Sequence, residues 1–64
     1  MRNRLKILYG EMAMTLYVAT EPDAVKFALR LSNELSRVIV FEQQTGLNEW
    51  QQIQAFHNNN VTVL

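Results

Sequence analysis

The pattern of hydrophobic and polar residues is clearest between Thr20 and Arg37, where it follows the period of an α-helix. On a wheel of about 100° per residue, the apolar side chains fall on one side and the charged and amide side chains on the other. Thr20 can cap such a helix, and Pro22 suits its first turn. The sequence therefore predicts an amphipathic helix from about Glu21 to Leu35. Its predicted apolar side consists of Ala24, Val25, Phe27, Ala28, Leu31 and Leu35.

Two strands are predicted before this helix, over Leu5–Tyr9 and Met12–Thr20. They are separated by Gly10 and Glu11, and a two-residue loop that begins with glycine is typical of a type II′ hairpin. The turn predicts the pairs Tyr9 with Met12, Ile7 with Met14, and Leu5 with Leu16. One face of this hairpin is apolar and the other is mixed, so we expect the apolar face to pack against the helix. Residues 1–4 are polar, and we expect them to be frayed.

A third strand is predicted directly after the helix. Arg37–Glu42 is a run of β-branched and aromatic residues, which is the pattern of a strand. Thr45 and Gly46 indicate a turn after it. Residues 61–64 are expected to form a short final strand or a tail.

The segment 48–57 fits two structures. As a strand, it would pair back on the third strand and place Trp50 and Phe56 on the same face. As a second helix, it would be capped by Asn48 and built from good helix formers. The pair Gln51 and Gln52 interrupts strict alternation, whereas the helical apolar stripe is narrow, and we favour the strand.

These elements predict one α+β domain over residues 1–64, in the order ββαββ with a possible fifth strand. One amphipathic helix would pack on one face of a small antiparallel sheet. A chain this short buries only about 60% of the surface that its unfolded form exposes. It has no cysteine for a disulfide and too few histidines for a structural zinc site. Because 48% of its residues are hydrophobic, we expect it to gain stability as a homodimer.

The chain offers no sign of export or of a membrane anchor. No apolar run approaches the ~20 residues of a membrane span. The residues after the basic N-terminus include Lys6 and Glu11, so they do not form a clean signal peptide. The absence of cysteine is compatible with a reducing compartment. We therefore expect a soluble, cytoplasmic protein with no membrane partner.

Candidate chemistry for an enzyme is sparse. His57 is the only histidine, and as a general base it would need an orienting partner and a nucleophile. The two glycines, Gly10 and Gly46, stand alone and do not form a phosphate-binding loop. We therefore predict no catalytic, cofactor-binding or metal site, and a non-enzymatic protein.

Two kinds of binding surface remain. If one sheet face takes the helix, the other carries apolar and aromatic residues, and such a surface usually marks a partner site. We predict a small protein-interaction module, an adaptor, inhibitor or regulator of a larger partner, that also binds itself. The predicted contact residues are Leu8, Tyr17, Trp50 and Phe56.

The alternative is a regulatory module that binds nucleic acid. The net charge is zero, with six basic and six acidic residues, whereas a dedicated nucleic-acid binder is usually basic. All of the basic residues nevertheless lie before position 38, on the predicted helix stripe and at the N-terminus. They are Arg2, Arg4, Lys6, Lys26, Arg30 and Arg37.

Overall fold

A computed structural model describes residues 2–64, which form one sheet of five strands and one helix. The elements in chain order are β1 (Asn3–Tyr9), β2 (Met12–Val18), α1 (Glu21–Leu35), β3 (Ile39–Gly46), β4 (Glu49–His57) and β5 (Asn60–Val63). The sheet is antiparallel throughout, with the strand order β2-β1-β3-β4-β5. The predicted α+β class, the single helix and the order of the elements are confirmed. The helix is too short to cross a membrane.

The first hairpin has the predicted register. Its pairs include Tyr9 with Met12, Ile7 with Met14, and Leu5 with Leu16. Gly10 has a φ of 61° and Glu11 a negative φ, as a type II′ turn requires.

The predicted fraying of residues 1–4 is wrong for Asn3 and Arg4, and Met1 lies outside the described residues. Asn3 pairs with Val18 on one side and with Gln43 on the other. Because β1 lies inside the sheet rather than at its edge, both of its neighbours hold its first residues in place.

The segment 49–57 is a strand, as favoured, but its faces differ from the prediction. Phe41 lies opposite Gln54, and the next residue of β3 lies opposite Gln52, so Ile53 is an extra residue, a β-bulge. Side chains before and after the bulge therefore change sides. Trp50 lies on the face away from the helix, whereas Phe56 faces the helix and is fully buried.

The turn before β4 lies later than predicted, and β5 begins one residue before the predicted segment 61–64. The turn before it is formed by Leu47 and Asn48, two residues after the predicted site, and Asn48 has a φ of 62°. The turn after it is formed by Asn58 and Asn59, and Asn60 already belongs to β5. Asparagine tolerates the left-handed conformation that Asn48 and Asn58 adopt.

The core lies between α1 and the three central strands. The helix contributes small side chains, namely those of Ala24, Ala28 and Ser32, which allow a close approach to the sheet. The sheet contributes the large buried side chains of Leu5, Ile7, Ile39, Phe41 and Phe56. Phe27 and Leu35, predicted on the buried side of the helix, are 49% and 40% exposed, because they lie at the margins of this contact.

The helix is held at both ends. At its start, the Thr20 hydroxyl accepts a hydrogen bond from the Asp23 backbone N–H at 3.3 Å, as predicted for a cap. In its last turns, the buried Ser32 hydroxyl lies 2.8 Å from the Leu29 carbonyl oxygen and 2.9 Å from that of Asn58, and can donate to one at a time. The Asn33 amide donates to the Asn59 side-chain oxygen at 3.0 Å. The C-terminal half of α1 is therefore attached to the β4–β5 turn.

The two glycines offer a matched test of the turn geometry. In Gly10→Ala, the new Cβ meets no atom within 4 Å, but the positive φ costs about 1–2 kcal/mol. In Gly46→Ala, φ is ordinary and the Cβ comes within 3.1 Å of the mobile end of the Glu49 side chain. We expect urea unfolding at equal protein concentration to show a clear loss of stability for the first variant. The second should change by less than about 0.5 kcal/mol. Equal losses would contradict the assigned turn.

Candidate functional site

The first candidate surface lies along β2, at one edge of the sheet. By register, Met12, Met14 and Leu16 project on the same side of the sheet as α1. The helix covers mainly β1, β3 and β4, so these three side chains remain 75%, 52% and 39% exposed. Phe27 of the helix lines the same groove as Leu16 and is also exposed. We call Met12, Met14, Leu16 and Phe27 the edge strip.

A groove between α1 and β2 runs beside the edge strip. Its floor is apolar and includes Leu5, Val18 and Leu31. Asp23, Arg30 and Glu34 line its helix side, with the Arg30 guanidinium 3.1 Å from Glu34. The edge strip thus continues the core beyond the part of the sheet that the helix covers, and it is exposed to solvent.

The backbone of β2 adds free hydrogen-bonding groups to this surface. Residues that flank a two-residue hairpin loop exchange backbone hydrogen bonds, and the bonded residues then alternate along the strand. The even-numbered residues of β2 therefore bond to β1, and Ala13, Thr15 and Tyr17 direct their N–H and C=O groups outwards. The strand carries no charged residue, although exposed edges usually carry Lys, Pro or a bulge that prevents pairing.

The second candidate surface is the open face, the side of the sheet opposite α1. At its centre, Arg4 Nε donates to Glu42 Oε1 at 2.7 Å, and Lys6 Nζ lies 3.8 Å from the same oxygen. Glu42 is only 5% exposed, so its charge is balanced by neighbours rather than by water.

Two aromatic rings lie next to this ion pair on the open face. The Arg4 guanidinium carbon is 3.9 Å from the centre of the Trp50 ring, which is a close cation–π contact. The Tyr17 and Trp50 ring centres are 6.1 Å apart at an angle of 54°. Arg2 lies 5.9 Å from the centre of the Tyr17 ring, and Tyr17 remains 63% exposed. The Tyr17 and Trp50 rings thus contact each other and the guanidinium groups of Arg2 and Arg4.

The structure brings together some of the predicted protein-contact residues. Tyr17 and Trp50 are in contact on the open face, and Leu8 lies on the same face at the other end of β1. Phe56 belongs to the core instead, because the bulge at Ile53 turns it towards the helix. It is therefore not part of any surface.

The predicted basic residues do not form one surface. Arg2, Arg4 and Lys6 lie on the open face, whereas Lys26 and Arg30 lie on the helix, on the other side of the sheet. Arg37 follows the helix, packs 4.2 Å from the centre of the Tyr9 ring and donates to the Leu8 carbonyl oxygen at 3.4 Å.

The edge strip was not predicted from the sequence, although the relevant signal was present. Its β2 residues were assigned to a buried face because they alternate correctly. A helix is about 10–12 Å wide, however, and five strands at about 4.8 Å spacing span about 19 Å. Counting the strands would have shown that one helix leaves an edge uncovered.

Comparisons with protein-family models, with curated proteins and with solved structures found no match to this chain. Within residues 2–64, no three His, Cys, Asp or Glu side chains group as potential metal ligands. His57 is exposed at the end of β4. Among the described residues, the edge strip and the open face are therefore the candidate binding surfaces.

Replacing the buried carboxylate tests whether it organises the open face. Glu42→Gln keeps the shape but leaves Arg4, with its side chain 16% exposed, without its counter-charge. Because hydrogen bonds to charged groups contribute about 1.5–3 kcal/mol, we expect a loss of that order in urea unfolding. The matched change Glu34→Gln removes an exposed ion pair with Arg30 and should cost less than about 0.5 kcal/mol. Similar losses for both variants would refute the structural role of Glu42.

Proposed function

We propose that this chain is a small, non-enzymatic protein-interaction module that assembles through β2, with a second copy of itself as partner. The observation that carries the proposal is the edge strip beside an uncharged, unpaired strand edge. Exposed apolar surface next to free backbone donors and acceptors supports pairing with another strand, in which hydrogen bonds and side-chain contacts form together.

The β2 edge is complementary to itself. In an antiparallel pairing about a two-fold axis at Thr15, Ala13 meets Tyr17 of the partner subunit, and Thr15 meets Thr15 of the partner subunit. All three outward-facing residues of each strand then use both backbone groups, so that six hydrogen bonds form. No other register of the two strands uses the whole length of β2.

The same register matches the apolar side chains. Met14 lies opposite Leu16 of the partner subunit, and Met12 lies opposite Val18 of the partner subunit. The two helices are on the same side of the joined sheet, and each Phe27 flanks the new contact. Because β2 carries no charge, no like charges meet across the axis.

The opposite edge of the sheet is a weaker competitor. β5 has only four residues, Asn60–Val63. Pairing of β2 with β5 of another copy would be heterologous and would continue into an open chain of subunits, whereas pairing of β2 with itself closes as a dimer. Of the two pairings that involve β2, only the pairing of β2 with itself closes as a dimer.

In this proposal, the assembled module acts as an adaptor or regulator in the cytoplasm. The absence of cysteine from the sequence is compatible with that compartment. The open faces of the two subunits remain accessible after β2 pairing, since the helices and the edge strips lie on the other side. They are therefore available for a further ligand.

The solution mass tests the proposal. We expect light scattering over a concentration series to give twice the chain mass of 7.5 kDa for the natural sequence. Thr15→Pro removes an outward N–H that does not bond to β1, so the fold should tolerate it and the dimer should dissociate. Met14→Lys should also dissociate it by placing a charge in the edge strip.

The control is Val63→Lys, an exposed apolar residue of the other edge strand. We expect it to leave the mass unchanged. Dissociation by Val63→Lys alone would move the interface to β5. A folded monomer at all concentrations for the natural sequence would refute self-association through either edge.

A further inference from the structure

We propose that the open face binds single-stranded nucleic acid, with a base stacked on Tyr17 and phosphates contacted by Arg2 and Lys6. This site is complete within one subunit and uses no side chain of the edge strip. Tyr17 contributes its ring to this site and its backbone to the proposed β2 pairing.

The open face is positively charged, although the net charge of the whole chain is zero. Its charged residues are Arg2, Arg4, Lys6 and Glu42, which give a formal charge of +2. The other side chains therefore sum to −2, since the total is zero. This segregation creates a local potential that attracts a polyanion to one side of the sheet.

The interior of this cluster positions the rings rather than contacting the ligand. Glu42 binds Arg4 at 2.7 Å, and Arg4 lies against one face of the Trp50 ring. Trp50 in turn contacts the Tyr17 ring. Arg4 and Glu42 are thus positioning residues, and they hold the aromatic pair before any ligand arrives. Less conformational entropy is then lost on binding.

The groups left for a ligand lie on neighbouring strands. Tyr17 of β2 pairs with Arg4 of β1, and Arg2 and Lys6 are two residues before and two residues after Arg4. The Arg2 guanidinium carbon lies 5.9 Å from the centre of the Tyr17 ring, and Lys6 Nζ lies 3.8 Å from Glu42 Oε1. The ring is 63% exposed, and the Lys6 side chain is 35% exposed. An exposed ring with accessible cations beside it can stack on a base while the cations contact nearby phosphates.

This arrangement favours unpaired strands over other anions. In a duplex the bases are already stacked on one another, so an aromatic ring on a flat sheet gains nothing from them. An acidic peptide would use the cations but not the ring. Base stacking on aromatic side chains uses both and depends little on sequence.

The test is titration with oligothymidylate of about 12 nucleotides. Trp50 is the only tryptophan, so its fluorescence reports on the site directly. We expect saturable binding at low salt. With two phosphate contacts, the logarithm of the affinity should fall with the logarithm of the salt concentration with a slope of about −1.4. Tyr17→Ala should weaken binding by roughly 5- to 150-fold, whereas Tyr17→Phe should keep it.

A matched pair of lysine variants measures the contribution of charge on the open face to the binding affinity. Lys6→Ala should weaken binding and reduce the slope by about 0.7, whereas Lys26→Ala, on the helix, should change neither. The same titration with Thr15→Pro should still show binding, because the site lies within one subunit. Binding by this variant would therefore support the nucleic-acid site even if the proposed dimer does not form.

Four results would overturn the proposal. The first is no saturable binding at low salt. The second is equal affinity for poly-glutamate, a polyanion without bases, which would show attraction by charge alone. The third is an equal effect of Lys6→Ala and Lys26→Ala. The fourth is no effect of Tyr17→Ala in a variant that circular dichroism shows to be folded.

Discussion

A helix about 10–12 Å wide lies on a sheet about 19 Å across, and this mismatch of widths governs the rest of the molecule. The three central strands are covered and supply the large core side chains. Ser32 and Asn33 attach the helix to the β4–β5 turn, but both edge strands lie outside its cover. On the helix side, apolar residues therefore remain exposed at both edges of the sheet. They are Met12, Met14 and Leu16 of β2 and Val61 and Val63 of β5.

The two faces of the sheet expose different kinds of residues. On the helix side, apolar residues of β2 are exposed beside an unpaired strand edge. On the other side, a buried carboxylate and an arginine fix two aromatic rings in place, so the apolar rings are held by charged groups. The β2 edge offers backbone hydrogen-bonding groups with a set direction. The open face offers side chains held in set positions. A 64-residue chain thus carries two chemically different exposed surfaces.

Local patterns predicted most of the fold. The turn at Gly10 and the alternation around it set the hairpin register, and Thr20 marked the start of the helix, because these features depend on neighbours in sequence. The exposure of Phe27 depends on where the helix crosses the sheet, and the contact between Trp50 and Tyr17 joins residues 33 positions apart in the chain. Neither can be obtained from periodicity. The pairing of Arg4 with Glu42 likewise depends on β1 lying beside β3.

The bulge at Ile53 divides β4 into two parts whose side chains follow opposite alternation. The part that ends in Phe56 belongs to the core and tolerates little change, whereas Trp50, at the start of the strand, belongs to the outer surface. A single-residue deletion at the bulge would restore regular pairing. Trp50 and Phe56 would then be five residues apart, and regular alternation would keep each of them on its present side of the sheet. The first half of the strand can therefore vary by substitution, and the loss of the extra residue would preserve both faces.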